Sequence, residues 1–500
     1  MKKRLPYITT SLAAAAALST ALLVGCSGAS AATDGTGQAL QMQAGETLDS
    51  DLAPDAVMAE NADYTTVNLD EWSESDAVDV TLTGSSAKSD SSSVAVDGST
   101  VTITEAGVYR LSGSLAGGVV IAAPDDALVV LILDGAEIDN AAGAAIEVQT
   151  ADDVAVHLAD GSENSLSDAS SYADDASANA ALYSDADLTI SGQGSLTVTG
   201  NGNDGITSKD DLVILGGTIT VTAADDALRG KDALVVEGGA LDLTATGGDG
   251  MKSDGDDDEA SADIDWTQGY IYVSGGSIDI TAGDDGLQAF TDTVVVGGSV
   301  VASVVDDGVK GEVIVSIGES ADAGAEAPNV TVSASTEGIE AANIGISAGT
   351  IDVTASDDGI NASGNAELQA RIVGTEFTGV ADREADTGER LEISGGTVTI
   401  VAGFDGLDSN GSLTISGGTV TITSAANGGD GPIDANGTVA VADGIVTANG
   451  AAWDESMATG MGGGMPGGQG GGQGQMPGGE MPGGGQPPQG GMPGGQASEG

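Results

Sequence analysis

A pair of adjacent glycines recurs in this chain at one fixed interval, and a fixed interval of this length restricts the fold to a repeat architecture. Gly216-Gly217 and Gly238-Gly239 lie 22 residues apart, as do Gly275-Gly276 and Gly297-Gly298, and Gly395-Gly396 and Gly417-Gly418. Before the pair, Leu212 and Ile214 alternate with Val213, and Ile271/Val273, Leu391/Ile393 and Leu413/Ile415 repeat the pattern. After it, Ile219 and Val221 alternate with Thr218, Thr220 and Thr222. Alternation with period two predicts strands with one buried face. The glycine pair permits a sharp bend with positive φ. A third short segment follows, such as Ala227-Leu228-Arg229. Three short strands and tight turns in about 22 residues describe one coil of a parallel β-helix, with coils roughly 4.8 Å apart. An antiparallel sandwich would not require one period with the same residues in the same slot.

The predicted organisation is an all-β solenoid with tails. Residues 201–450 form its regular part, interrupted by insertions at 253–267 and 364–390. Residues 76–200 are less regular, and strand candidates such as Val101-Thr102-Ile103-Thr104 and Val129 to Leu133 place the cap and first coils there. Residues 26–75 are small, polar and acidic and read as a flexible linker. Residues 451–500, with repeats such as Met465-Pro466-Gly467-Gly468, read as a disordered Gly/Met/Pro/Gln tail.

Met1 to Arg4 are basic, and Leu12 to Val24 is an apolar run too short to span a membrane. The run ends in Leu23-Val24-Gly25-Cys26, which resembles the lipobox of bacterial lipoproteins. The resemblance implies a signal peptide over residues 1–25 and a lipid anchor on Cys26, the single cysteine, on an exported protein held at the outer face of a cell membrane. The net charge of −64 leaves no basic patch to neutralise phosphates, so nucleic acid is not an expected partner. Such self-repulsion hinders compaction unless cations bind.

The acids are not scattered. Each unit carries an acid followed by Gly or Ala and then usually an apolar residue: Asp204-Gly205-Ile206, Asp226-Ala227-Leu228, Asp249-Gly250-Met251, Asp285-Gly286-Leu287 and Asp307-Gly308-Val309. Glu337-Gly338-Ile339, Asp358-Gly359-Ile360, Asp405-Gly406-Leu407 and Asp430-Gly431-Pro432 continue the series, and Asp225, Asp284, Asp306 and Asp357 double the acid in four units. Stacked coils put these carboxylates in one file at about 5 Å intervals, where they repel. Ca²⁺ suits such a file because it takes 6–8 oxygens at about 2.3–2.6 Å. Zn²⁺ does not, because the file lacks Cys and His, and His157 reads as a strand residue. The metal candidates are Asp204, Asp225, Asp226, Asp249, Asp284, Asp285, Asp306, Asp307, Asp357, Asp358 and Asp405. The competing reading is plain Asp-Gly turn chemistry.

Three residues after the repeated acid, from Asp204 to Asp405, runs a second column: Thr207, Arg229, Lys252, Gln288, Lys310, Glu340, Asn361 and Asp408. Its bases either neutralise the acid file or, as Arg229, Lys252 and Lys310, meet sugar hydroxyls and uronate carboxylates. Because Ile271 and Val273 take inward positions, Tyr270 and Tyr272 are expected to face outward and, with Trp266, to form a stacking platform for sugar rings or to pack under the insertion.

Several stretches together resemble the bacterial secreted carbohydrate-binding domain-containing β-helix proteins, a family founded on a clostridial polysaccharide-binding protein. They are Thr102-Ile103-Thr104-Glu105-Ala106-Gly107-Val108-Tyr109, Leu133-Asp134-Gly135-Ala136, Gly161-Ser162-Glu163-Asn164, Asp187-Leu188-Thr189-Ile190-Ser191-Gly192, Glu337-Gly338-Ile339-Glu340-Ala341 and Ala355-Ser356-Asp357-Asp358-Gly359-Ile360-Asn361-Ala362. The resemblance implies a right-handed parallel β-helix, bound calcium at the Asp-Gly positions, and polysaccharide as partner. Ala227 and Glu337 depart from the pattern. The leading functional expectation is a calcium-binding, non-catalytic, monomeric surface protein for cellulose-like or pectin-like glycans, on which rows of outward Thr, Asp and Asn offer hydrogen-bond partners. The alternatives are a calcium-dependent polysaccharide lyase, with Lys252 or Lys310 as base, and a structural stalk or adhesin.

Overall fold

The computed structural model describes residues 51–458, except 174–175, 256–263, 322–325, 373–378, 380–384 and 426–429. The expected signal peptide, the Cys26 anchor and nearly all of the C-terminal tail lie outside the described residues.

The chain is all-β, and its strands pair almost entirely in parallel with strands of the next coil. Leu212 pairs with Leu234, Ile219 with Leu241, and Ile206 with Leu228. Three files of strands therefore run the length of the body, which is the connectivity of a solenoid. The glycine pairs act as expected. Gly217, Gly239, Gly276, Gly298, Gly396 and Gly418, the second glycine of each pair, all have positive φ. Inward Ile, Leu and Val of the three files form one continuous core, from Val80 at the first coil to Val446 at the last. One end begins with Val78–Gly84 against Gly107–Ala116 and an antiparallel hairpin, Val94–Asp97 with Thr100–Ile103. The other end runs slightly past residue 450: Ala451–Ala452 pairs back on Val446–Ala448, and Trp453 packs against the core.

The second file presents a flat outer face. In Thr218–Ala223, residues Thr218, Thr220 and Thr222 face out while Ile219, Val221 and Ala223 are buried. The register keeps this face in columns: Thr197 pairs with Thr220, Asp242 with Asp279, and Thr399 with Thr421.

The first file departs from one-sided burial. Asp211–Ile214, Ala233–Val236 and Asp292–Val295 are buried at every position. The cause is the segment expected to be a flexible linker. From residue 51 it lies along the outside of this file, so the linker reading over 26–75 is corrected for its described part. Helix Pro54–Glu60 starts this strap. Leu52 and Val57 pack on Val294, Val296 and Ile314. Tyr64 and Met58 cover Val213, Val235 and Tyr270. Val67 and Trp72 reach back to Val108, Val130 and Ile132. Outward valines supply the apolar surface that a polar linker sequence does not advertise. Polar clips hold the strap: the Asn61 Nδ2 amide donates to Asp292 Oδ2 (2.9 Å), the Thr65 N–H to Asp211 Oδ2 (2.7 Å), and the Val67 N–H to Thr189 Oγ1 (3.0 Å). His157 is a strand residue, as expected, and its ring meets Trp72 edge-on at 5.0 Å.

Asp292 makes the strap sensitive to pH. Burial pushes its carboxyl up to about 7, against the Asn61 amide and the Ile314 N–H, which pull it down. A folded value above the unfolded one means that this site stabilises the strap fully below about pH 4 and loses that contribution as pH rises through about 7. Amide protection over residues 57–67 is expected to fall between about pH 6 and 8 in hydrogen exchange, and Asp292→Asn is expected to flatten the profile. Protection unchanged across that range would refute the assignment.

Candidate functional site

The third file is short and starts at the repeated acid. Its column register is the expected one without a break: Thr207 pairs with Arg229, Arg229 with Lys252, Lys252 with Gln288, and Gln288 with Lys310. Lys310 pairs with Glu340, Glu340 with Asn361, and Asn361 with Asp408. The acids three residues earlier are therefore stacked as well, and Asp204, Asp226, Asp249, Asp285, Asp307 and Asp405 are all buried. Asp358 and Asp225 are half-buried, as is Asp357, while Asp284 and Asp306 are exposed.

One oxygen each of Asp226, Asp249, Asp285, Asp358 and Asp405 is committed to the backbone. The Asp249 N–H donates to Asp226 Oδ1 (2.9 Å), the Asp285 N–H to Asp249 Oδ1 (2.9 Å), and the Asp307 N–H to Asp285 Oδ1 (2.7 Å). Further along, the Asp405 N–H donates to Asp358 Oδ1 (2.8 Å), and the Gly431 N–H to Asp405 Oδ1 (2.6 Å). The repeated acid is thus a coil-to-coil hydrogen-bond ladder as well as a file of charge. The second oxygen takes whatever the neighbouring column offers. Lys252 Nζ lies 2.8 Å from Asp249 Oδ2. Lys310 Nζ lies 2.6 Å from Asp307 Oδ2 and 2.8 Å from Glu340 Oε2. Arg229 pairs with Asp254 and stands 3.8 Å from Asp204 Oδ2. The Thr207 hydroxyl donates to Asp204 Oδ2 (3.0 Å), and the Asn361 amide to Glu337 Oε2 (2.9 Å).

Burial raises several of these acids. It pushes Asp226, Asp285 and Asp405 up to about 7. Asp408 goes to about 8, by burial first and then by the charges of Asp358, Asp434 and Asp405. Lys252 is raised: burial works against its charge, but Asp226 and Asp249 outweigh it.

Oxygen clusters suited to a hard divalent ion occur where the acid is doubled. Asp249, Asp284 and Asp285 each bring an oxygen within 4.8 Å of the others, and so do Asp285, Asp306 and Asp307. The residues fit calcium there: all donors are carboxylates, one acid of each set is exposed, and the column position between Lys252 and Lys310 is the uncharged Gln288. A third set, Asp307, Glu337 and Glu340, is already bridged by the Lys310 ammonium. Asp225, Asp226, Arg229, Asp249, Lys252 and Asp284 line a cleft of about 270 Å³.

The aromatic expectation is corrected. Tyr270 is 1% exposed, and its hydroxyl donates to the Ala62 carbonyl of the strap (2.8 Å). Tyr272 is half-buried beside Tyr64, with ring centroids 6.4 Å apart. Both face out of the coil, but the strap covers them. Trp266 stacks on Phe290 at 5.3 Å, and the Arg371 guanidinium lies 4.8 Å over the other ring, so the two insertions meet at Phe290. Sequence reasoning also missed Asp254, the partner of Arg229, which lies in an insertion where the period gives no position. It missed a second acid group, Asp187, Asp210 and Asp211, under the strap. Its signal was an acid directly before the first apolar strand of consecutive units.

Residues 97–378 match the family of carbohydrate-binding domain-containing proteins. The chain belongs to this family. Among solved structures, the polysaccharide lyase-like protein from C. thermocellum, determined as a gadolinium derivative, is similar at 31% identity over 51% of this chain and 97% of that one, with a TM-score of 0.44. No curated protein matches the chain. The matched carbohydrate-binding region contains most of the acid file, both oxygen clusters and all three column bases.

Proposed function

We propose that this family member is a cell-surface, calcium-binding, non-catalytic polysaccharide-binding protein, built on a right-handed β-helix of 22-residue coils. Polysaccharide as the partner follows from the family. The observation that carries the calcium reading is the pair of carboxylate clusters at Asp249/Asp284/Asp285 and Asp285/Asp306/Asp307, each with an exposed acid on the rim. An ion held there has coordination positions left for uronate oxygens, and it converts a repelling acidic surface into one that an acidic glycan can approach. The metal set is completed by Asp204, Asp225, Asp226, Asp357, Asp358 and Asp405, with Arg229, Lys252 and Lys310 beside it as ligand contacts. The charged state of Lys252 and its contact with Asp249 speak against a lyase base at that position, because a general base must be free to take a proton. Cys26 is the proposed lipid anchor of an exported, monomeric protein.

The test is retention on polygalacturonate. Millimolar calcium is expected to raise the melting temperature and to support retention, and chelator is expected to reduce retention at least about tenfold. Asp284→Asn with Asp306→Asn is expected to abolish the calcium effect while leaving the chelator-treated protein folded, since both side chains are exposed. Indifference to calcium in both measurements would refute the metal reading. Release of unsaturated uronates would refute the non-catalytic one.

A further inference from the structure

The acid file is neutralised unequally along its length. In its first half a base of the column stands near a buried acid: Arg229 3.8 Å from Asp204, Lys252 2.8 Å from Asp249, and Lys310 2.6 Å from Asp307. Past Lys310 the column reads Glu340, Asn361, Asp408 and, by the Leu407–Ile433 bridge, Asp434, with no base among them. The strongest charges acting on Asp358, Asp405 and Asp408 are accordingly those of other acids: Asp357, Asp430, Asp434 and one another. Two further features set this half apart. Asn361 is 7% exposed, and its Nδ2 donates to Glu337 Oε2 of the preceding coil (2.9 Å). The Oδ1 at the other end of that amide is buried and accepts no hydrogen bond, and the next coil places Asp408 beside it. A buried acceptor set among carboxylates calls for a donor that also carries positive charge. The second feature is Phe404. Its N–H donates to the Asp357 carbonyl, and it takes the outer slot that Asp357 fills one coil earlier and Asp430 one coil later. Phe404 is 48% exposed, so an open ring interrupts a row of acids.

The geometry points to this half of the file, Asp357, Asp358, Asp405, Asp408 and Asp430 around Phe404, as a binding site for a cationic amino-sugar polysaccharide, one whose sugars carry free ammonium groups. The inference rests on the polysaccharide-binding reading above and adds a ligand of opposite charge at a separate stretch of the file. Lys310 shows how the file takes an ammonium: its Nζ sits between Asp307 Oδ2 and Glu340 Oε2 of adjacent coils, at 2.6 and 2.8 Å. The later coils repeat the carboxylates at the same spacing of about 4.8 Å without the lysine. A ligand ammonium supplies that charge through charge-assisted hydrogen bonds to Asp358 and Asp408. Phe404 decides between classes of polycation. A pyranose lays its apolar face on an exposed ring, and its ammonium is drawn to ring and carboxylates alike. A lysine-rich peptide meets the acids but has no flat apolar face for the ring. The net charge of −64 attracts a cationic chain from a distance. Calcium at Asp358 or Asp405 competes for the same oxygens, so the amino-sugar chain and polygalacturonate should respond to calcium in opposite directions.

The experiment measures binding of the full mature chain to a glucosamine hexamer, its fully N-acetylated counterpart and a lysine hexamer by calorimetry, in chelator and in millimolar calcium. The wild type is expected to bind the glucosamine hexamer in chelator, to bind it more weakly in calcium, and to release it in about 0.5 M sodium chloride. The N-acetylated hexamer, which has the same sugar faces and no ammonium, should not bind. Asn361→Lys puts a lysine in the column slot that Lys252 and Lys310 hold two and four coils' positions earlier in the same register. It should raise the melting temperature and lower affinity for the glucosamine hexamer at least about tenfold. If that variant melts lower, Asp357→Asn with Asp430→Asn carries the same expectation, since both side chains are half-buried and lie outside the backbone ladder. Both variants should keep calcium-dependent retention on polygalacturonate. Phe404→Ala is expected to weaken the glucosamine hexamer about threefold to tenfold and to leave the lysine hexamer unchanged. Affinity unchanged in the folded variants, equal binding of the N-acetylated hexamer, or a lysine hexamer bound as tightly as the glucosamine one overturns the assignment. So does a wild type that ignores the glucosamine hexamer but holds polygalacturonate in calcium, and in that case the polysaccharide-binding reading survives. A wild type that holds neither glycan overturns both.

Discussion

Gly338→Val is expected to destabilise the solenoid by about 3 kcal/mol or more, enough to unravel the coils around it well below the wild-type melting temperature. The glycine after each acid has no positive φ, so backbone freedom is not what it supplies. It supplies space. A Cβ at Gly338 would overlap the Val353 side chain and the Gly359 carbonyl of the next coil. Gly359 repeats the arrangement against Ile400 and Gly406, and Gly286 against Gly308. At this corner the Gly338 N–H donates to the Asp358 carbonyl (3.1 Å), so the two coils can part only by breaking the ladder. The natural Ala227, wholly buried at the equivalent slot, shows that one methyl can be accommodated, and Gly338→Ala is expected to cost less than valine. The control is Gly161→Asn. Gly161 has a φ of 72° with open space around it, a conformation that asparagine tolerates, and a change below about 1 kcal/mol is expected. Thermal and urea melts followed by circular dichroism decide the matter. A valine variant that melts with the wild type would show that the corner has slack the packing does not suggest.

What the sequence revealed and what it hid divide along one physical line. Features that repeat with the coil were legible. Leu212 over Leu234, Arg229 over Lys252 and Glu340 over Asn361 follow from counting, because a solenoid turns sequence spacing into vertical contact. Contacts between segments outside the period were not. The strap was hidden because its anchors, Leu52, Val57, Val67 and Trp72, are sparse and follow no period. The clue lay on its partner: Leu212-Val213-Ile214-Leu215 and Thr293-Val294-Val295-Val296 are apolar at outward positions too, the signature of strands covered on both faces. Tyr270 was placed on the correct side of its strand, but what covers that side was not legible. The Trp266–Phe290–Arg371 stack joins two insertions and a coil, and no local signal links them. The acid after the second strand was legible as a file, but its ladder of backbone hydrogen bonds, and the steric reason for the glycine beside it, arise only from the way successive coils stack.

Lys310→Gln is expected to turn one built-in cation into a calcium requirement. The Lys310 ammonium stands between Asp307 and Glu340, and these two acids with Glu337 bring oxygens within 4.8 Å of one another. Burial pushes Asp307 up, and the charge of Glu340 adds to the rise; Glu340 itself is held below its ordinary value by Lys310, although burial acts the other way. Removing one partner of a buried ion pair costs about 3–5 kcal/mol, and the partial exposure of Lys310 places this site at about 2–3 kcal/mol. The variant in chelator at about pH 8 should therefore melt clearly below the wild type. Lower pH should narrow the gap, because Asp307 titrates above its unfolded value and its protonated form is the one favoured in the folded state. Millimolar calcium should also narrow it, since the vacated position is surrounded by the hard oxygens that the ion selects. The wild type has Gln288 at the preceding position of the column, so its calcium response should come from the Asp285 clusters, and the variant should add a second increment to it. A variant that melts with the wild type in chelator would show that the ammonium carries no part of the charge of the file. One that melts low but ignores calcium would show that these three acids, once freed, cannot close around an ion.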